Sequence, residues 1–366
     1  MEDRKRTPGR LGIVAVLFDA DGSDSELAPA QIDPSRLSDH QLLWIELCGD
    51  DDAQLKDVVA QLGLSDHLAA VRAGMCGHPR VENFGDWFLV RAAAITDDDP
   101  STGADSTAAD STAADSTADD IGAAASHRKH AHRLRFAAEE FTIVVGRNFV
   151  LTLHDAPLRF IDELREREQA ETQLGVLSAE SFTASLLDWT LATYFDAVSE
   201  FETAVDRLEV HLLGSRRHRD CLPDLADLRR VVSKLRRQLA SHRNLFAALQ
   251  RPDFRPAADE AANGHFLRLG ERFDHAMEAV ENARDMIVGT FELFATRAAQ
   301  RTNDNMRRLT FATVLIGTLA VLAGVLGMNF DVAFFDSGAK GFWSAVAGMT
   351  LLAVGAFIVA RMRDWL

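Results

Sequence analysis

Two charge-free runs near the C-terminal end constrain this chain more than any other feature. Leu309 to Phe330 is a 22-residue run without an ionisable side chain, and Phe342 to Ala360 is a second of 19 residues. Crossing roughly 30 Å of hydrocarbon takes about 20 helical residues at about 1.5 Å each, so both runs have the length of a membrane span. A buried helix of a soluble protein would almost always carry a charge over that length. The expectation is therefore two transmembrane helices joined by a short loop.

Basic residues near span ends are retained on the cytoplasmic side. Arg301, Arg307 and Arg308 precede the first run, Arg361 and Arg363 follow the second, and the connecting loop has only Lys340 beside Asp331 and Asp336. This places both termini in the cytoplasm of a multi-pass inner-membrane protein, with residues 331–341 as an external hairpin. The formal net charge of -16 argues against a nucleic-acid partner, which calls for a basic patch. It suits attraction of cations, although acidic balance is common in soluble domains. Cys48, Cys76 and Cys221 are scattered and odd in number, indicating neither a disulfide framework nor a paired-cysteine zinc site. The basic MEDRKRTPGR start is not followed by a signal-peptide apolar stretch.

The first half reads as an α/β domain. Leu11 to Phe18, Leu42 to Leu47, Trp87 to Ile95 and Phe141 to Leu153 are β-branched and aromatic runs that predict strands, and Asp52 to Ala73 predicts one amphipathic helix. Between Asp97 and Ala125 the chain repeats Ser-Thr-Ala-Ala-Asp, a composition unable to offset its ordering entropy, and it reads as a disordered insert between two strands. His127, His130 and His132 at its end could capture zinc, but no thiol or carboxylate completes a tetrahedral set, and a solvated basic loop end is the better reading.

From Ser178 the pattern turns helical, with Phe182, Leu186, Trp189, Thr193, Val198, Phe201, Val205, Leu208 and Leu212 on one face and a second stretch over Leu225 to Leu249. These predict an antiparallel helix pair beside the α/β domain. Phe266, Phe273, Val280, Ile287 and Phe294 then repeat every seven residues, broken in the companion series by Arg284, and predict a stalk of packed helices. No proline interrupts the chain from Asp259 to the membrane, so one helix of about 65 residues could run into the first span.

Along that helix Asn303, Met306, Thr310, Thr313, Gly317, Ala320, Gly324 and Gly327 alternate in steps of three and four, a stripe of small or weakly polar residues. Small stripes let membrane helices pack closely. The stripe could equally be the wall of a channel ringed by copies of the helix. Asn303 at one end, Asn329 at the other and the heptad stalk favour the channel. Neither span contains an acid, base or histidine, so no proton relay is evident, and side-chain amides and carbonyls could hold a cation only through its hydration shell. No nucleotide-hydrolysis, metalloprotease or serine-hydrolase motif occurs; the chain reads as a non-enzyme without a cofactor.

The segment LAGVLGMNF, residues 322–330, resembles the CorA family of divalent-metal transporters, whose hallmark Gly-Met-Asn closes the first of two C-terminal spans. HPRVENFGDWFLVR at 78–91, GRNFVLTLHDAP at 146–157 and NDNMRRLTFAT at 303–313 are similar to further family segments. The resemblance implies an α+β membrane protein that assembles with itself as a funnel-shaped homopentamer in membrane lipid. It divides the chain into a cytoplasmic α/β domain (1–157, insert 97–133), a helical region (158–257), a stalk helix (258–308), span one (309–330), an external loop (331–341), span two (342–360) and a basic tail (361–366).

By the same resemblance, Asn329 forms a ring that selects hydrated Mg2+, with Gly327 and Met328 holding the turn. Asn303 makes the cytoplasmic ring, Met306 and Leu309 the constriction, and Thr313, Gly317, Ala320 and Gly324 the lining. Glu271 and Asp274 are candidate regulatory metal sensors between subunits. The chain departs from the family pattern at Leu326, Thr318 and Ala320 and in its external loop, DVAFFDSGAKG, so the choice among Mg2+, Co2+, Ni2+ and Zn2+ stays open. The expected function is passive influx of hydrated Mg2+. A proton-coupled zinc transporter of the same superfamily and a non-conducting membrane-tethered oligomer are the alternatives.

Overall fold

The computed structural model describes residues 12–20, 24–38, 40–49, 51–97, 134–168, 178–214, 221–251, 254, 260–328 and 339–362. The insert expected over 97–133 (Asp97 apart), its three histidines, Asn329 and Phe330 at the end of span one, residues 331–338 of the external hairpin and most of the basic tail lie outside these residues. The chain divides into two compact units, Met1–Ile287 and Val288–Leu366.

The first unit is organised by a seven-stranded sheet. Its strands are β1 Gly12–Asp19, β2 Ser25–Leu27, β3 Gln41–Cys48, β4 Arg80–Asn83, β5 Phe88–Asp97, β6 Phe136–Val145 and β7 Phe149–His154, in the order β2-β1-β3-β7-β6-β5-β4. Only β3 and β7 run parallel; every other pair is antiparallel. The near-continuous apolar runs of these two strands fit a position buried on both faces. Leu43, Ile45, Leu47, Leu151 and Leu153 meet Leu55, Val58 and Val59 of α1 (Asp52–Gln61) and Val71 of α2 (Leu68–Gly74) on one side. On the other, Trp44 and Phe18 pack on Phe182 of α4 (Ala179–Gly214), at 5.5 and 6.0 Å between rings, and Phe141 packs on Phe160 of α3 (Arg159–Glu168). Helices α3 and α4 thus cover one face of the sheet, within the same compact unit as its strands.

Two sequence expectations are corrected here. The run Phe141 to Leu153 is not one strand but the β6–β7 hairpin, its turn closed by the Gly146 N–H on the Phe149 carbonyl at 3.0 Å. The single helix expected over Asp52–Ala73 is two. Leu62 and Leu64 are both buried, a two-residue spacing that a helix cannot keep on one face, and Gly63 between them breaks the helix at φ +74°. At the end of α2, a Cβ on Gly74 would fall 2.3 Å from Leu89 Cδ1, so only glycine lets α2 seat on the sheet.

Beyond Arg91, β5 runs past the end of β4, and side chains from the helices satisfy its free edge. Ala93 N–H donates to His242 Nε2 at 2.9 Å, Tyr194 Oη donates to the Ala93 carbonyl at 3.0 Å, and Ile95 N–H donates to Thr193 Oγ1 at 2.9 Å. An unpaired buried amide costs about 1–3 kcal/mol, so this capping is a condition of burying the edge. His242 Nε2 accepts, so its proton sits on Nδ1, which donates to the Gln238 carbonyl at 2.9 Å. The ring is therefore neutral, in agreement with burial that pushes its pKa down to about 4.

Helices α5 (Cys221–Ser241) and α6 (Arg243–Leu249) lead to α7, Glu260–Leu326, 67 residues without a break and about 100 Å long. Within the first unit the heptad residues Phe266, Phe273, Val280 and Ile287 are buried, and Ala283 fills the place beside Arg284, which is exposed. Phe273 lies 4.8 Å from the Phe246 ring of α6, and Phe266 lies 6.1 Å from Phe254. The chain's own residues bury this seam, so the seven-residue repeat does not by itself call for helices from other copies. Polar pairs flank it: Arg272 Nε with Asp188 Oδ1 at 3.1 Å, His265 Nδ1 with Ser181 Oγ at 3.0 Å and Arg236 Nη2 with Glu281 Oε1 at 3.5 Å.

Candidate functional site in the membrane helices

The second unit holds the end of α7 and all of α8, Ala339–Met362. Both are long and apolar enough to cross a membrane, and among the described residues nothing buries their apolar windows. Val314, Ile316, Val321, Leu351, Val354 and Phe357 are each half or more exposed. In water such a surface would be unstable; in a bilayer it is the surface that lipid and neighbouring helices cover.

Burial along α7 separates its faces. Phe311, Leu315 and Leu319 are half-buried, at the four-residue step of one helix face. On α8 the more covered residues are Gly341, Ala345, Met349, Ala353, Gly355, Ala356 and Ala360, mostly small, as close approach of two membrane helices requires. Asn303, Met306, Leu309, Thr313, Gly317, Ala320 and Gly324 are all exposed. Thr313 follows Phe311 by two residues, about 200° around the helix, so the small, weakly polar stripe faces away from the half-buried face. Packing between the two spans of one chain does not account for it.

The hydroxyls on this helix turn inward to their own backbone. Thr313 Oγ1 donates to the Leu309 carbonyl and Thr318 Oγ1 to the Val314 carbonyl, both at 2.8 Å. Each hydroxyl hydrogen is thereby committed, and the oxygen presents lone pairs outward as an acceptor. From Leu309 through Leu326 the helix carries no ionisable group.

Helix α7 stops at Leu326, short of Phe330, where the apolar run ends. Gly327 N–H bonds the Ala323 carbonyl at 2.9 Å and Met328 N–H the Val325 carbonyl at 3.3 Å, closing the last turn. A Cβ on Gly327 would lie 3.3 Å from the Ala323 oxygen, so a larger residue crowds the bond that ends the helix. Met328 is exposed; Asn329 falls outside the described residues. The structure therefore places nine of the twelve proposed pore and motif residues and sensors on α7, plus Gly327 and Met328 beyond its end.

Glu271 and Asp274 are exposed on the part of α7 that belongs to the first unit, away from its buried seam. Among the described residues, no group of three or more His, Cys, Asp or Glu is placed to hold a metal ion. Sequence reasoning missed the strand-edge caps Tyr194 and His242 and the clamp between Asp188 and Arg272. One signal for the first was available: Tyr194 is the only tyrosine in the chain, within a strongly periodic apolar helix.

Residues 124–361 match the model of the CorA-like Mg2+ transporter protein family. The chain is 23% identical over 244 residues to the cobalt/magnesium transport protein CorA of Thermotoga maritima, covering 66% of this chain and 68% of that one. The complete structure of the CorA magnesium transporter from Methanocaldococcus jannaschii superposes with a TM-score of 0.66 at 17% identity, covering 98% of this chain and 99% of that one. The structure of the full-length CmaX protein does so with a TM-score of 0.64 at 18% identity, covering 97% and 100%. The family match extends over more than half of the chain and includes both apolar helices: this chain belongs to the CorA-like Mg2+ transporter family.

Proposed function

We propose that the protein is a channel-like transporter that carries hydrated Mg2+, and related divalent ions such as Co2+ or Ni2+, passively into the cell. The observation that carries this reading is the exposed stripe from Asn303 to Gly324, opposite the half-buried face of α7 and free of charge. A stripe of small residues and outward lone pairs suits a wall shared by copies of α7 around a water-filled path. A fully hydrated magnesium ion presents water hydrogens, which acceptor oxygens such as Thr313 Oγ1 can bind without stripping the shell.

Family membership supports self-assembly as a homopentamer, with α7 from each copy lining the path. In that arrangement Asn329 forms the outer ring that selects the hydrated ion and Asn303 the cytoplasmic ring. Met306 and Leu309 form an apolar constriction, and Glu271 and Asp274 contribute to metal sensing between subunits. Both termini lie in the cytoplasm of the inner membrane. The domain boundaries derived from the sequence serve as the working division of the chain. Proton-coupled zinc transport is the less favoured reading, since no titratable group lies within the spans and the named full-length relatives are CorA and CmaX proteins.

The test is divalent influx into proteoliposomes carrying the purified protein, read with magnesium-sensitive and zinc-sensitive dyes. Magnesium entry without a proton gradient, reduced at least tenfold in Asn329→Ala at unchanged oligomer size, supports the channel. Zinc entry that requires a pH gradient replaces it with the coupled transporter. No flux of either ion from an intact oligomer leaves the membrane-tethered scaffold.

A further inference from the structure

We infer that the cytoplasmic unit carries a second ligand site, a groove of about 270 Å³ between the β5–β6 hairpin and α5 that accepts an adenine nucleotide. Its floor is apolar: Ile95, Phe136 and Leu235 are nearly fully buried, with Val231, Ala137 and Ala138 beside them. Its rim is cationic, formed by Arg135, Arg230 and Lys234, and among its described lining residues there is no carboxylate. In a chain of net charge -16, three cations around one apolar hollow mark a place for an anion.

The cations differ in how they are engaged. Lys234 Nζ donates to the Phe136 carbonyl at 2.8 Å, which draws the ammonium over the groove while leaving two of its three donors available. Arg230 meets Asp227 one turn away on its own helix, and its side chain is 77% exposed, a weak pairing that a phosphate can replace. Arg135 is exposed at the opposite rim. Guanidinium groups bind phosphate oxygens in bidentate fashion, and lysine adds a point charge.

The apolar floor and Gln238 narrow the ligand class further. Gln238 is half-buried at one end of the lining, and its side-chain amide offers a donor and an acceptor together. That pair matches the donor and acceptor edge of adenine. The volume falls just under the range for whole drug-sized ligands, which suits a base seated on the floor with its phosphates out over the rim. Inorganic phosphate would use the rim and leave the floor empty. The site lies in the first unit, on residues that the proposed transport path does not use, and its occupancy would connect that unit to the nucleotide state of the cell.

The experiment is calorimetric titration of the full-length protein in detergent and magnesium-free buffer with ADP, ATP, adenosine and inorganic pyrophosphate. ADP and ATP are expected to bind with submillimolar affinity, and adenosine and pyrophosphate at least tenfold more weakly. Arg230→Gln, an exposed position that should not disturb folding, weakens ADP at least fivefold, and Gln238→Leu erases the preference for adenosine phosphates over pyrophosphate. No binding of either nucleotide, undiminished ADP binding in both variants, or pyrophosphate binding as tightly as ATP overturns the inference. Nucleotide binding that arises only after deletion of residues 98–133 assigns the groove to that acidic segment of the chain itself and overturns it too.

Discussion

The two compact units obey opposite rules for their surfaces. In the first, most large apolar side chains are buried by the same chain, and even the open edge of β5 is satisfied by His242, Tyr194 and Thr193. In the second, Val314, Ile316 and Leu351 stand more than 60% exposed, and the ordered stripe from Asn303 to Gly324 has no counterpart among the described residues of its own chain. A unit that satisfies itself can be specified by its own sequence pattern. A unit that does not is specified by what surrounds it: lipid on its bulky faces and, in our proposal, further copies on its small one.

The sharpest way to break this contrast is to remove side-chain volume from each unit. Phe273 is 3% exposed and packed against Phe246 at 4.8 Å between rings, so Phe273→Ala should cost about 3–5 kcal/mol. Ile316→Ala, at 65% exposure in the span, should cost less than about 0.5 kcal/mol. Denaturant unfolding of the detergent-solubilised protein, followed by tryptophan fluorescence, measures both. Equal losses would show that the second unit is packed as tightly as the first.

The pH dependence of stability should come from the first unit. The His242 ring has a pKa near 4 in the fold and about 6.5 in an unfolded chain. Above pH 6.5 both states hold it neutral and its contribution is complete. Between pH 6.5 and 4 the unfolded chain takes up a proton that the folded one refuses, so stability falls by roughly 3 kcal/mol across that window. Burial pushes His154 in the same direction. His242→Gln should flatten the slope between pH 6.5 and 4, because its amide has no proton to take up; an unchanged slope would assign the titration elsewhere.

How much of this was legible in the sequence follows the same division. The spans were readable because a charge-free run of 22 residues has few other uses, and the turn at Gly327 because a tripeptide sits at its end. The strands on either side of the Ser-Thr-Ala-Ala-Asp repeat were legible as apolar runs, and β5 and β6 pair in register up to Asp97 and Phe136. The β6–β7 turn was missed because Gly146, Arg147 and Asn148 separate two runs that are both buried on both faces, leaving no alternation to mark the break. The parallel pairing of β3 with β7 joins residues about 106 apart, which local pattern does not encode. The heptad was real, but periodicity reports that a face is buried and not which chain buries it.

Gly317 probes the stripe directly. It is exposed, and a Cβ there meets nothing within 4 Å in one chain, so a single copy tolerates a side chain. In a ring of copies, Gly317→Leu narrows the shared path. Folding of the first unit should be unchanged while magnesium flux falls roughly tenfold, equivalent to about 1.4 kcal/mol. Unaltered flux would move the stripe from the pore wall to the lipid.

The smallest effect is expected at the clamp between α7 and α4. Asp188 lies 3.1 Å from Arg272, yet its pKa is raised, because burial disfavours the carboxylate more than the guanidinium favours it. An ionised group held against such a balance adds little stability near neutral pH. Both side chains are also more than two-fifths exposed, so solvent screens the pair. Asp188→Asn should therefore shift stability by less than about 0.5 kcal/mol at pH 7. As pH falls through the carboxyl's raised pKa, the wild-type chain gains a small increment that the variant lacks. Denaturant midpoints of the two proteins at pH 7 and pH 4 measure both differences. A loss above about 2 kcal/mol in Asp188→Asn would make the clamp part of the packing that buries Phe273, and polar pairing would then have to be counted beside apolar burial as a source of the first unit's stability.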